Sequence, residues 1–205
     1  MPSHAIATLA ELETLYAEPG AASLAKEVDY LHPHYRAFVE ASPFCLLSTM
    51  NDKGGDCSPR GDAPGFVQVL DERILLLPDR RGNNRIDSLR NIVADPRVGL
   101  LFLVPGVNET VRVSGTATVS TDPDLLARCV VQGKAPTTVL VVHIESVFFQ
   151  CGRALLRSGL WSADAQISRD ALPSTGTILA TLSQDAIDGV AYDRELPDRQ
   201  RTTLY

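Results

Sequence analysis

The sequence predicts a mainly β protein: an antiparallel barrel of about six strands with flanking helices, folded as one domain. Three observations carry this. Between residues 44 and 149 short apolar stretches follow one another through tight polar turns, as strands joined by hairpins do. The alternation of strand and helix that builds a doubly wound parallel sheet is missing. A chain of 205 residues, 44% hydrophobic and 21% charged, can bury one sizeable core. The barrel core is expected over about 42–150, with a helical N-terminal extension (1–41) and a helical C-terminal extension (151–205).

The elements follow in order. Residues 6–41 read as helical, with "IATLAELETLYAE" and "YLHPHYRAFVEAS" separated by a Pro-Gly break. "FCLLSTM" (44–50) is a strand, "NDKGGD" a turn, and "CSPRGDAPGFVQVL" (57–70) extended structure that turns at "DER" into "ILLL" (74–77). "RIDSLRNIVADP" (85–96) has the spacing of a short amphipathic helix, with Ile86, Leu89, Ile92 and Val93 on one face and Asp95-Pro96 at its end. "VGLLFLVPG" (98–106), "TVRVSGTATVS" (110–120) and "TTVLVVHIESVFF" (137–149) are three more strands. Between the last two, Thr121 or Asp122 caps a helix with proline in its first turn. "CGRALLRSGLW" (151–161) and "TGTILATLSQDA" (175–186) look helical, and "YDRELPDRQRTTLY" reads as a polar extended arm.

Charge and composition exclude several functions. A net charge of −6 argues against the broad basic face that nucleic acid requires. No apolar run approaches the roughly 20 residues of a membrane span, and no basic region followed by an apolar stretch opens the chain, so a cytoplasmic protein is expected. Cys45, Cys57, Cys129 and Cys151 form no C-x-x-C pair and read as buried free thiols. No metal site is expected: His32 and His34 flank a proline as surface histidines, and His143, alternating with apolar residues on a strand, reads as interior or interfacial. "QGKAPTT" (132–138) fails as a phosphate-binding loop, because Arg128 stands where glycine is needed and Ala135 where Ser or Thr is needed.

Two stretches carry chemistry. In "SPRGDAPGF" (58–66), Arg60 and Asp62 flank Gly61, which offers donors beside a flexible backbone for a planar ligand; a surface turn with an Arg–Asp pair would use the same residues. Residues 78–97 hold five arginines and three aspartates, locally +2 in an acidic chain. Arg85 and Ser88 stand near a helix start, where free N–H groups attract an anion and Asn83 and Asn84 add donors. A guanidinium 4 Å from a phosphate gains about 4 kcal/mol at an effective dielectric of about 20. An exposed Arg–Asp pair gains about 0.5 kcal/mol. A phosphorylated planar ligand would use these arginines with most effect; a solvated helix laced with ion pairs is the competing reading.

The order of "FCLLSTM", "SPRGDAPGF", "ILLLPDRRGNNRIDSLRNIVADPRVGLLFLVPG" and "TVRVSGTATV" resembles the pyridoxamine 5′-phosphate oxidase-like family, whose fold is a six-stranded antiparallel split β-barrel that binds FMN. With "CGRALLRSGLW" it is similar to a subgroup of FMN-dependent enzymes, over about residues 40–162. The resemblance implies a homodimer with FMN at the subunit interface, and a two-electron oxidoreductase acting on a small substrate with an electron donor or acceptor. By motif, Arg60, Gly61 and Asp62 would run along the flavin ring, and Pro78, Asp79 and Arg80 near the ring or ribityl chain. Asn84, Arg85, Asp87 and Ser88 would approach the ribityl-phosphate, with Arg85 and Ser88 on the phosphate itself. Thr110 and Arg112 would lie near the pyrimidine side of the ring, and Arg153, Arg157, Ser158 and Trp161 would come from the partner chain. No catalytic acid or base announces itself. The terminal "DRQRTTLY" lacks the Arg-x-x-Pro-like pattern of true pyridoxamine phosphate oxidases, so the resemblance leaves the substrate unnamed. A flavin carrier or stress protein without turnover, or the same barrel holding a deazaflavin or haem, is the alternative.

Overall fold

The computed structural model describes residues 4–205; residues 1–3 of the expected N-terminal extension lie outside it. Two short helices, α1 (Leu9–Glu13) and α2 (Ala21–Leu24), lead to a two-residue strand β1 (Glu27–Val28) and helix α3 (Pro33–Ala41). The N-terminal part is thus less helical than its periodicity predicts. Short helices with no buried side chain gain little from packing. His32 caps α3, its Nδ1 accepting the N–H of His34 at 3.2 Å. The helix buries Val39, and Tyr35 stacks on Phe149 of the barrel.

The barrel strands are β2 (Phe44–Asn51), β3 (Gly54–Gly61), β4 (Gln68–Val69), β5 (Ile74–Asp79), β6 (Arg97–Leu103), β7 (Thr110–Ser120) and β8 (Thr138–Gln150). All pairings are antiparallel and the sheet runs β3-β2-β6-β7-β8-β5-β4, with β1 beside the second half of β8. Eight strands are present where six were expected; the surplus is β1 and β4, each of two residues. The alternation of β2 turns Cys45, Leu47 and Thr49 inward, onto Leu100 and Phe102 of β6 and Val111 and Val113 of β7. In β5 four consecutive residues, Leu75 to Pro78, are buried. Pro78 is tolerated because β4 reaches only Leu75 and Leu76, so its missing N–H falls where β5 has one neighbour.

Helix α4 (Asp87–Ala94) connects β5 to β6 and packs on β2. Its buried face is Ser88, Asn91 and Ile92, a correction to the apolar stripe expected. Ile86 lies outside the helix and Val93 is 79% exposed. The opposing strands explain the rotation. Asn91 donates to Thr49 Oγ1 at 3.0 Å and accepts from Asn51 at 2.5 Å, while Ser88 bonds Ser58 at 2.9 Å and donates to Asp56 at 3.1 Å. A polar seam on β2 and β3 selects the polar side of α4.

After β7, Asp122 caps α5 (Pro123–Arg128). Beyond β8 come α6 (Arg153–Ser158), two 3₁₀ turns, α7 (Thr175–Leu182) and α8 (Gly189–Thr202). The expected extended arm is therefore largely a helix, α8, despite Pro197 inside it. Helices α7 and α8 cross at Gly176 and Gly189, where a Cβ on either would overlap the other's backbone, and Asp193 of α8 accepts the N–H of Gly176 at 2.6 Å. That docking holds a segment with weak helical character of its own.

All four cysteines are free, yet only Cys45 and Cys129 are buried; Cys57 and Cys151 are exposed. Burial pushes the Cys45 thiol up to about 12, against a small opposing effect of Arg60. His143 is exposed on β8, not interior, because it sits on the outward phase of that strand. Among the described residues no helix is long and apolar enough to cross a membrane.

Candidate functional site

Three consecutive same-face positions of β3, Asp56, Ser58 and Arg60, form the floor of a cleft of about 920 Å³. Its sides are the end of β5 (Asp79, Arg80), the loop 81–86, the start of α4 and the loop 134–137, with Tyr205 at one edge. The volume lies within the range of small-molecule sites. Arg60, Arg80, Arg81, Arg85 and Lys134 face only Asp56, Asp79 and Asp87 among its charged residues, so the cleft is positive in a negative chain.

The backbone at the mouth is unusual. Asn84 and Ile86 adopt left-handed conformations, with φ of 59° and 52°. Asn tolerates this region; a β-branched residue there is strained. Ile86 is also the N-cap of α4 and makes no side-chain cap bond. The first turn of α4 lines the cleft, and its N–H groups lack the usual Ser, Thr, Asp or Asn cap oxygen to accept them. Such a helix start, beside basic side chains, suits an anion.

The side chains divide between free and engaged. Arg80 gives two of its five N–H donors to the fold: Nε donates to Asp62 Oδ2 at 2.7 Å and Nη1 to the Cys129 carbonyl at 2.7 Å. Asp62 is 3% exposed at its side chain and lies behind the wall. Burial would raise its pKa, but bonds from Tyr205, the Ala63 N–H and Arg80 together outweigh burial and hold it below the usual carboxylate range. Arg85 is exposed and pairs with Asp87 at 2.8 Å, which raises the arginine further. Asp79, half-buried, is pushed up by burial, opposed by Arg60. Arg60 itself donates only to its neighbour's carbonyl, at 3.1 Å.

Of the residues proposed from sequence, Arg60, Asp79, Arg80, Asn84, Arg85, Asp87 and Ser88 line this one cleft. Gly61 does not face it with open backbone: a Cβ there would meet the Pro43 carbonyl at 3.3 Å, so close packing against the preceding strand accounts for the glycine. Pro78 is buried in β5. Thr110 is buried at the start of β7, and Arg112 lies over the Phe148 ring at 5.2 Å. Arg153 and Arg157 are exposed on α6; Ser158 donates to the Leu155 carbonyl, and Trp161 Nε1 to the Val107 carbonyl at 2.8 Å. None of these lines the cleft of its own chain. Sequence reasoning missed Asp56, Ser58, Arg81, the loop 134–137 and Tyr205. The alternation D-x-S-x-R in 56–60 was a usable signal, and so was the lysine of "QGKAPTT". Tyr205 carried none.

The family model for pyridoxamine 5′-phosphate oxidase matches residues 31–151, more than half of the chain. The chain belongs to the pyridoxamine 5′-phosphate oxidase family. The matched span runs from just before α3 through β8 and contains most of the cleft; Tyr205 and the helices after β8 lie beyond it. No curated protein matches the chain. Similar solved structures include HupZ of Group A Streptococcus (17% identity, covering 58% of this chain and 92% of that one, TM-score 0.47). A Lactobacillus delbrueckii protein carrying the oxidase's name is 24% identical over 59% of this chain and 95% of its own, with a TM-score of 0.46. An FMN-binding protein of Syntrophomonas wolfei is 11% identical over 56% of this chain and 86% of its own, with a TM-score of 0.41.

Proposed function

We propose that the cleft binds FMN and that the protein is an FMN-dependent oxidoreductase of the pyridoxamine 5′-phosphate oxidase class, working as a cytoplasmic homodimer on a small substrate. The observation that carries this reading is the uncapped start of α4 opening on a basic cleft. Family membership supports a flavin as the group to fit there.

The residues suit it. The first N–H groups of α4 and the Arg85 guanidinium receive the phosphate, with the Asn84 carboxamide toward the ribityl hydroxyls. Ser88 is placed to serve through its backbone N–H: its hydroxyl hydrogen is already given to Asp56, and a hydroxyl has only one to give. Arg60 holds positive charge along the floor, where it stabilises negative charge on a ligand ring. Asp79 is the cleft's proton-holding group, kept protonated to higher pH than an ordinary carboxyl. Bound FMN supplies the two-electron redox chemistry, and the protein orients it and sets its electrostatics. Arg153, Arg157, Ser158 and Trp161, outside their own cleft, are assigned to the partner's.

The test is a visible spectrum and an FMN titration. The purified protein is expected to carry flavin bands that bleach with NAD(P)H and recover in air. Arg85→Ala should weaken FMN binding about tenfold, the loss of one charge-assisted bond. Arg97→Ala should leave it unchanged, because Arg97 pairs with Asp95 away from the cleft. Equal FMN retention by both variants, or a Soret or deazaflavin spectrum in place of a flavin one, overturns the assignment. Flavin bands that no such reductant alters would reduce the protein to a flavin carrier.

A further inference from the structure

Tyr205 joins three segments that are far apart in sequence. Its hydroxyl donates to Asp62 Oδ1 at 2.6 Å. Its ring lies against the Arg80 guanidinium, 5.8 Å from the ring centroid. Its carbonyl accepts from Lys134 Nζ at 2.9 Å. The bond to Asp62 raises the phenol's pKa, so it remains a hydrogen donor throughout the neutral range. Arg80 has five N–H donors, of which two are used by Asp62 and Cys129. The remainder belong to a side chain that lines the cleft.

We propose that Tyr205 is a positioning residue of the ligand site: it locks the Asp62–Arg80 pair from the outside, so that Arg80 keeps its unused donors on the bound ligand. Lys134 fixes Tyr205 in turn, which makes the segment after α8 one wall of the cleft. Two properties of the arrangement support this. A guanidinium held through Nε moves with the carboxylate that accepts from it, and the Tyr205 hydroxyl holds the second oxygen of that carboxylate while its ring lies 5.8 Å from the guanidinium. Asp62, whose side chain is 3% exposed, is held ionised against burial by three donors, and Tyr205 supplies one of them. The inference rests on the reading of this cleft as a flavin site only for its second measurement.

The first measurement uses ligand-free protein with ¹⁵N-labelled arginine. Hydrogen exchange at Arg80 Nε–H should be slow in the wild type and about tenfold faster in Tyr205→Leu, the consequence of losing one charge-assisted bond. Tyr205→Phe, which keeps the ring and guards against loss of the fold, should fall between. Unchanged exchange in Tyr205→Leu overturns the proposal. The second is FMN binding in a double-mutant cycle. Tyr205→Leu should raise the FMN Kd about tenfold in the wild-type background and not at all in Arg80→Ala. An equal rise in both backgrounds would mean that Tyr205 acts on the fold alone, and overturns the proposal. A wild type that binds no FMN defeats the flavin reading, and the exchange measurement still decides Tyr205.

Discussion

Asp62 condenses the electrostatics of the site into one residue. An ionised carboxylate 3% exposed at its side chain persists only because every approach to it is a donor: Arg80, the Ala63 N–H and Tyr205. Its folded pKa lies below the ordinary value, so its contribution to stability is present above that value and is lost as pH falls through the folded one. Asp79 has the opposite sign. Its raised pKa makes the folded state hold a proton longer, so its ionisation costs stability as pH rises from the ordinary carboxylate value through the folded one. The two work against each other in the acid range, and removing one exposes the other. Asp62→Asn should therefore flatten the loss of stability as pH falls below the ordinary carboxylate value, measured by urea unfolding at a series of pH values. An acid limb as steep as that of the wild type would mean that Asp62 is not held low. Arg80→Ala, which leaves the carboxylate buried with its two other donors, should cost about 3 kcal/mol at neutral pH in the same measurement.

At the scale of elements, α4 and the loop before it combine a strained backbone with a rotated helix. Ile86 in the left-handed region costs about 1–2 kcal/mol, and the strain sits where the first N–H groups of α4 meet the cleft. Ile86→Gly removes the Cβ that makes the conformation costly, and its flexible unfolded chain gives part of the gain back. A net gain of about 1 kcal/mol in ligand-free stability is expected by denaturant unfolding. Ile86→Ala, which keeps a Cβ, should gain less; an Ile86→Gly protein weaker than wild type would place the strain elsewhere. The same region marks the limit of what the sequence reveals. The strand "TVRVSGTATVS" is β7 residue for residue, because alternation on a half-buried sheet is a local property. The face of α4 is not local. Ile86 and Val93 fit an apolar stripe in sequence, but Thr49, Asn51, Asp56 and Ser58 on the facing hairpin draw Ser88 and Asn91 inward instead. The arginine-rich loop marked one wall of the cleft by composition alone, whereas Arg80, counted with the ring contacts, gives two of its donors to Asp62 and Cys129. Tyr205 and α8 left no local pattern: Tyr205 is placed by bonds to Asp62 and Lys134, 143 and 71 residues away, and α8 by its crossing with α7 at Gly176 and Gly189.

For the molecule as a whole, the distribution of apolar surface bears on assembly. Leu156, Ile167, Leu182 and Val190 are between 65% and 80% exposed, all of them in the region after β8. Apolar side chains this exposed gain when a partner covers them. The same region begins with α6, which holds Arg153 and Arg157 outside their own cleft. On the proposed reading, a two-fold dimer covers this surface and brings each α6 to the other chain's cleft, so that each site needs both subunits. Arg85→Ala damages the cleft side of such a site, and Arg157→Ala the contributed side. Each variant alone should bind FMN poorly. When the two are mixed and allowed to exchange subunits, half of the dimers are mixed. In each of those, one site combines the intact cleft of the Arg157→Ala chain with the intact α6 of the Arg85→Ala chain. High-affinity FMN binding should return to about a quarter of all sites, the statistical result for random two-fold pairing, measured by flavin fluorescence quenching after equilibration. Light scattering on the unmixed proteins should give twice the 22.2 kDa chain mass. Recovery of no sites by a protein that is dimeric and exchanges subunits would confine the flavin site to a single chain and remove Arg157 from it.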